Sequence, residues 1–217
     1  MTVSNVTERY LSVRKGIPAH VNLVVVSKFH PAEAIKEVYD AGQRIFGENR
    51  VQELVEKKPL LPDDIQWHMI GTLQSNKVKY IAPFVTLIHS VDSPKLLAEI
   101  DKQAKKNNRV INCLLEVFIA KEETKHGFSL KEADEFFLAG NSYLNTRVGG
   151  LMGMATFTDN ANQVREEFKS LAALYKKHEQ TLGFKYLSMG MSGDYQIAIE
   201  EGSNMVRVGS AIFGERK

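Results

Sequence analysis

Two kinds of residue in this 217-residue chain could do chemistry on a small ligand. One is an amine that ends an apolar run. The other is a pair of segments rich in glycine and serine, far downstream. Lys28 follows Leu23, Val24, Val25, Val26 and Ser27, with Pro31 shortly after it. An unbroken apolar run without alternation predicts a strand covered on both faces, as in a parallel sheet. A lysine at the end of such a strand commonly snorkels its charge to water. The chemical alternative is an amine kept partly out of water. Desolvation and nearby cations then lower its pKa and free it as a nucleophile for Schiff-base formation. The downstream segments are SMGMSGDY (188–195) and RVGSAIFG (207–214). Their glycines let a backbone approach an anion and their serines donate hydrogen bonds. Gly190, Gly193 and Gly209 also suit plain turns.

These residues need a frame, and the chain alternates in a way that supplies one. Strand-like runs at 22–27, 44–47, 66–71, 86–91, 111–118, 148–153, 186–190 and 205–209 are each followed by a helical pattern. Pro31 opens one helix and Gly42 closes it; Ser93-Pro94 and Ser129 to Glu132 carry N-cap and capping-box spacing. Val3, Val6, Tyr10 and Val13 share a face of one further helix ahead of the first strand. Alternation of strand and helix implies parallel strands with crossover helices. Eight units predict a (β/α)8 TIM barrel with an extra N-terminal helix, a single domain over residues 1–217. An open doubly wound sheet is the alternative.

In a closed barrel the first and eighth strands are neighbours, and the loops after strands seven and eight form the usual phosphate site. Lys28 and the two glycine–serine segments then face one ligand, an aldehyde that carries a phosphate. Pyridoxal 5′-phosphate fits, and so does the substrate of a phosphosugar aldolase.

Composition narrows the field. A formal net charge of +2 argues against a bulk polyanion such as nucleic acid. The lysine pairs 57/58, 105/106 and 176/177 each end a helix-like segment and read as complements to the helix dipole. A single cysteine, Cys113, in an apolar strand reads as a core residue and permits no internal disulfide. The N-terminal stretch lacks a signal-peptide core, and no run is long enough to span a bilayer. A cytoplasmic protein is expected. The histidines lack metal-ligand spacing. His68 reads as a satisfied core histidine, and Glu116 as a barrel-interior carboxylate paired to a lysine or arginine.

Longer stretches carry a resemblance. VSK (26–28), AGQRIFGENRVQE (41–53), WHMIGTLQSNK (67–77), VGGLM (148–152), LSMGMSGD (187–194) and GSNMVRVGSAIFG (202–214) run in order along nearly the whole chain. On these motifs it resembles the pyridoxal phosphate homeostasis protein family, whose fold is similar to the barrel domain of alanine racemase. The resemblance implies that Lys28 carries pyridoxal 5′-phosphate as an internal aldimine. It places Asn49 beside the cofactor ring, although Asn49 also suits an N-cap for a helix starting at Arg50. Ser192, Gly209 and Ser210 would hold the phosphate, with Met189 nearby through its backbone. Arg207 would face the pyridine nitrogen. At ETKHGF (123–128) the chain departs from the family's common Ser-Lys-Ser-Gly stretch, so no role is carried onto Lys125.

An arginine partner stays protonated and leaves the ring nitrogen unprotonated, which weakens the ring as an electron sink. Racemases of similar fold add a second base, a tyrosine from an extra C-terminal domain contributed across a dimer. The sequence stops at Lys217, shortly after RVGSAIFG. The expectation is therefore a monomeric barrel without that base. It would bind the cofactor and buffer or deliver it, with the apo forms of cofactor-dependent enzymes as recipients. A weak amino-acid racemase is the alternative.

Overall fold

Residues 5–121, 126–140 and 143–214 are described by the computed structural model. The apolar runs become β1 (Asn22–Val26), β2 (Ile45–Glu48), β3 (Gln66–Met69), β4 (Leu87–Val91), β5 (Ile111–Phe118), β6 (Thr146–Met154), β7 (Tyr186–Ser188) and β8 (Met205–Val208). Each strand pairs in parallel with the next. β8 pairs with β1, with Asn22 opposite Met205 and Val25 opposite Val208, so the sheet closes into a barrel. Closure excludes the open-sheet alternative.

The helices are α1 (Asn5–Lys15), α2 (Ala32–Asp40), α3 (Val51–Lys57), α4 (Val78–Ile81), α5 (Pro94–Lys106), α6 (Leu130–Leu138), α7 (Ala161–Leu182), α8 (Tyr195–Glu200) and α9 (Ser210–Phe213). α1 is the extra N-terminal helix. It packs on α9 and α2, beside the seam where β1 meets β8, and Arg9 Nε donates to the Ile212 carbonyl at 2.6 Å. Val3, expected on its apolar face, lies outside the described residues, as does Lys125.

Local signals set most helix starts. Ser93 accepts the Leu96 N–H ahead of Pro94, and Ser129 with Glu132 forms the full capping box. Two expectations need correction. Asn49 does not cap α3: the N-cap position falls to Arg50, which makes no side-chain cap bond. Of the lysine pairs, Lys105 and Lys106 do end α5. Lys177, however, lies inside α7 and pairs with Asp134 of α6 at 2.7 Å. Lys57 ends α3 but turns inward and is buried.

Side chains that alternate along the strands fill two layers. Val24, Leu87, Leu114, Met152 and Met205 fill the barrel lumen. Phe46, Trp67, Met69, Ile88, Leu97, Ile100 and Phe168 belong to the larger layer between strands and helices. Each such side chain contributes about 1.5–3 kcal/mol on burial, so the outer layer supplies most of the apolar stabilisation. Cys113 is buried there, and burial raises its thiol pKa, with Asp101 adding to the shift. That makes it an inert core residue. Among the described residues no helix is long and apolar enough to cross a membrane.

Candidate functional site

At the carboxyl end of β1 the chain turns sharply. The His30 N–H donates to the Ser27 carbonyl at 3.1 Å, and the half-buried Lys28 sits inside this turn. Its side chain lines a cavity of about 430 Å³ at the barrel mouth. Ser192, Arg207, Gly209 and Ser210 line the same cavity. Five residues drawn from β8 and the segments after β1, β7 and β8 thus converge as barrel closure requires.

Backbone donors converge on the far wall. The Ser192 hydroxyl oxygen accepts the Gly209 N–H at 3.2 Å, with the Ala211 N–H at 3.5 Å. A Cβ added at Gly209 would stand 3.1 Å from the Cβ and the carbonyl oxygen of Val26, two residues before Lys28. A side chain there would be forced into β1. Gly190 has a φ of 97°, and a Cβ there would meet Ala198 Cβ at 2.5 Å, so the turn into α8 requires glycine. Hydroxyls and amides grouped this way suit an oxyanion such as a phosphate.

Arg207 forms the floor. Nη1 donates to the Ser188 carbonyl at 2.9 Å and to its hydroxyl at 2.6 Å, and Nη2 donates to the Gly153 carbonyl at 3.0 Å. A guanidinium has about five N–H donors, so two stay uncommitted to the described protein groups. Burial lowers the Arg207 pKa to about 10, against the opposing fields of Asp194 and Glu116. It therefore stays protonated at neutral pH. Behind it runs a buried chain. Ser188 Oγ lies 3.0 Å from His89 Nδ1, and His89 Nε2 lies 3.0 Å from His68 Nδ1. Burial pushes His68 down to about 3, and burial with the fields of His68 and Arg207 depresses His89. Both rings are neutral. Donation can run from Arg207 through Ser188 and His89 to His68 Nδ1. His68 is thus an interior histidine, buried and bonded to His89 through Nδ1.

Glu116 is buried, and burial raises its pKa, with Asp92 adding and Arg207 opposing. Among the described residues no lysine or arginine lies at ion-pair distance from it, which corrects the expected pairing to a longer-range field from Arg207.

Two further expected residues stand apart from this cavity. Met189 is fully buried, and its backbone is spent on Met205 and Ser203. Asn49 lines a neighbouring cavity of about 630 Å³ with Arg50, Gln74 and Lys77. Sequence reasoning missed the segment after β6, where Ala155, Thr156, Phe157, Thr158 and Asp159 complete the wall. It also missed His30 and Asp194. His30 stacks on Phe213 with ring centroids 4.3 Å apart, a signal invisible before the closure of β8 on β1.

Comparison with known proteins agrees with this geometry. The profile of the alanine racemase N-terminal domain family matches residues 2–217. The pyridoxal phosphate homeostasis protein of Aquifex aeolicus is 44% identical over 198 residues, which is 90% of this chain and 87% of that one. The chain belongs to the pyridoxal phosphate homeostasis protein family. The structure of PipY from Synechococcus elongatus, with pyridoxal phosphate bound, is similar with a TM-score of 0.87 at 34% identity. The match covers 97% of this chain and 100% of PipY. Alanine racemase from E. faecalis, at 16% identity and a TM-score of 0.78, shares the fold over 97% of this chain and 58% of its own length.

Proposed function

We propose that this chain holds pyridoxal 5′-phosphate on Lys28 and serves the cell's supply of that cofactor by buffering or delivery, without strong catalysis of its own. The observation that carries the reading is the sharing of one cavity by Lys28, Arg207 and the Ser192–Gly209 cluster. The residues fit the group. About 430 Å³ suits a ligand of that size. The Lys28 amine is the nucleophile for an aldehyde. Ser192, Ser210 and the Gly209 backbone receive the phosphate. The free Arg207 donors meet the ring nitrogen. Met189 and Asn49, which the resemblance also assigned to the cofactor, do not line this cavity and take no direct part in the reading. When bound, the cofactor supplies an electrophilic aldehyde and an electron-withdrawing ring.

Arg207 supports a carrier over an enzyme. It is held in place by three bonds and remains charged, so it donates to the ring nitrogen without surrendering a proton. A cytoplasmic, monomeric, single-domain carrier is the simplest form of this reading, with apo cofactor-dependent enzymes as recipients.

A visible spectrum before and after borohydride, with peptide mapping, tests it. The wild type should carry the reduced label on Lys28, and Lys28→Ala should carry none while still binding the cofactor noncovalently. A label on another lysine, such as Lys77, would refute the assignment. Enzyme-like turnover of a free amino acid by the wild type, abolished in Lys28→Ala, would refute the carrier form.

A further inference from the structure

The backbone on either side of Lys28 is gripped by charged side chains that do not line the cavity. Phe29, directly after the lysine, has a φ of 67°, a left-handed conformation that is strained for a bulky residue. Its side chain is half exposed, so burial does not hold it there. The His30 N–H closes the turn onto the Ser27 carbonyl, Arg50 lies over the Phe29 ring at 5.2 Å, and two hydrogen bonds from charged side chains grip the backbone on either side of Lys28. The Phe29 N–H donates to Glu53 Oε2 at 2.7 Å, and Lys57 Nζ donates to the Ser27 carbonyl at 2.9 Å. These are the two peptide groups that flank the Lys28 Cα.

The same ammonium completes an ion triad. Lys57 Nζ donates to Glu48 Oε1 at 2.8 Å and to Glu53 Oε2 at 2.9 Å, so all three of its protons are used. Glu48 also accepts the Ser27 hydroxyl at 2.7 Å, and its second oxygen is buried without a partner. Burial raises the Glu48 carboxyl above its usual range, against the pull of Lys57 and Ser27. For Glu53, burial opposes ionisation, but Lys57 and the Phe29 N–H prevail and hold it low. A buried ion cluster adds little net stability over apolar side chains of the same size. What this one does is fix a strained turn.

We propose that Lys57 and Glu53, braced by Glu48, are positioning residues that aim the Lys28 amine into the cavity by clamping both of its flanking peptides. The inference rests on the reading of Lys28 as the anchoring amine. Neither Lys57 nor Glu53 lines the cavity. They act through the Ser27 carbonyl and the Phe29 N–H, and the left-handed Phe29 is the conformation they enforce.

Amide hydrogen exchange of the cofactor-free protein reads the clamp directly. In Glu53→Ala, the Phe29 and His30 amides should lose protection by about 10- to 100-fold, as for a lost bond to a charged group. Strand amides should keep theirs. Attachment of added pyridoxal phosphate to Lys28 should slow about tenfold or more, because the amine is no longer aimed. Competition by inorganic phosphate should be unchanged. Glu53→Gln, whose amide oxygen still accepts the Phe29 N–H, should recover most of both effects; a merely structural ion pair would not distinguish Gln from Ala. Unchanged protection at Phe29 and His30 in Glu53→Ala overturns the inference, as does attachment at the wild-type rate. Failure of the wild type to attach cofactor at Lys28 would instead sink the carrier reading, and the exchange result would still decide the clamp.

Discussion

Two buried polar networks flank one cavity, and they are built differently. Inside the lumen, Arg207, Ser188, His89 and His68 form a chain of neutral groups with a single charge at its head. Outside the wall, between β1, β2 and α3, Lys57 stands between two carboxylates. The lumen network holds a side chain, the Arg207 guanidinium. The wall network holds a main chain, the peptides around Lys28. A guanidinium is planar and rigid, so fixing its head fixes its direction. A lysine has a long flexible stem, and only its root can be fixed.

The comparison predicts different costs of damage. Lys57→Met leaves the buried Glu48 and the half-buried Glu53 without their cation and should cost about 3–5 kcal/mol of stability in urea unfolding. His89→Phe breaks the lumen chain between neutral groups and should cost about 1–3 kcal/mol. A reversal of that order would mean that the wall triad is wetter than its burial implies.

Acid should separate the networks. His68 and His89 have folded pKa values depressed below 6.5, so the unfolded state binds more protons than the native state below that pH. Stability is therefore lost as pH falls from about 6.5 toward 3, by ~1.4 kcal/mol per pH unit for each histidine. In the triad the signs oppose. Glu53, held low, loses its contribution only as pH falls through its lowered pKa, whereas Glu48, held high, gains as it protonates. Denaturant midpoints measured across this range should flatten in His68→Phe/His89→Phe and keep their slope in Glu53→Gln.

The smallest effect should come from Lys28, the proposed anchoring residue. Lys28→Ala removes a half-buried amine at the rim, and both networks survive it. Unfolding should shift by no more than roughly ±0.5 kcal/mol. A larger loss would show that the clamp and the amine stabilise each other.

Much of the frame was legible because parallel strands buried on both faces leave continuous apolar runs, as at Leu23 to Val26 and Ile111 to Phe118. The convergence of Gly209 and Ser192 on the Lys28 cavity was legible because they fall in the segments that barrel closure brings beside β1. Lys57 was misread, since a lysine at a helix end looks the same whether it meets water or a buried carboxylate. The only hint was the spacing of Glu53 and Lys57 on one helix face. The His68–His89 contact depends on the register of β3 against β4, and Arg207 reaches Ser188 across β7 and β8. Such pairings are set by how far each strand slides along the next, which residue type does not encode. The wall from Ala155 to Asp159 is a loop without periodicity and gave no signal at all.

The seam between β1 and β8 has a consequence for the order in which the molecule can be made. The first strand finds its second neighbour only when the last strand exists, for Val25 waits on Val208. Until then one edge of β1 lies open. Contacts this distant in sequence form late and slowly, because the loop they close is nearly the whole chain. During synthesis the lysine would emerge early and the proposed anion wall last. A nascent chain would thus carry Lys28 without the residues that share its cavity, and an unpaired strand edge prone to association. Capture of the proposed ligand would thereby report that the barrel has closed.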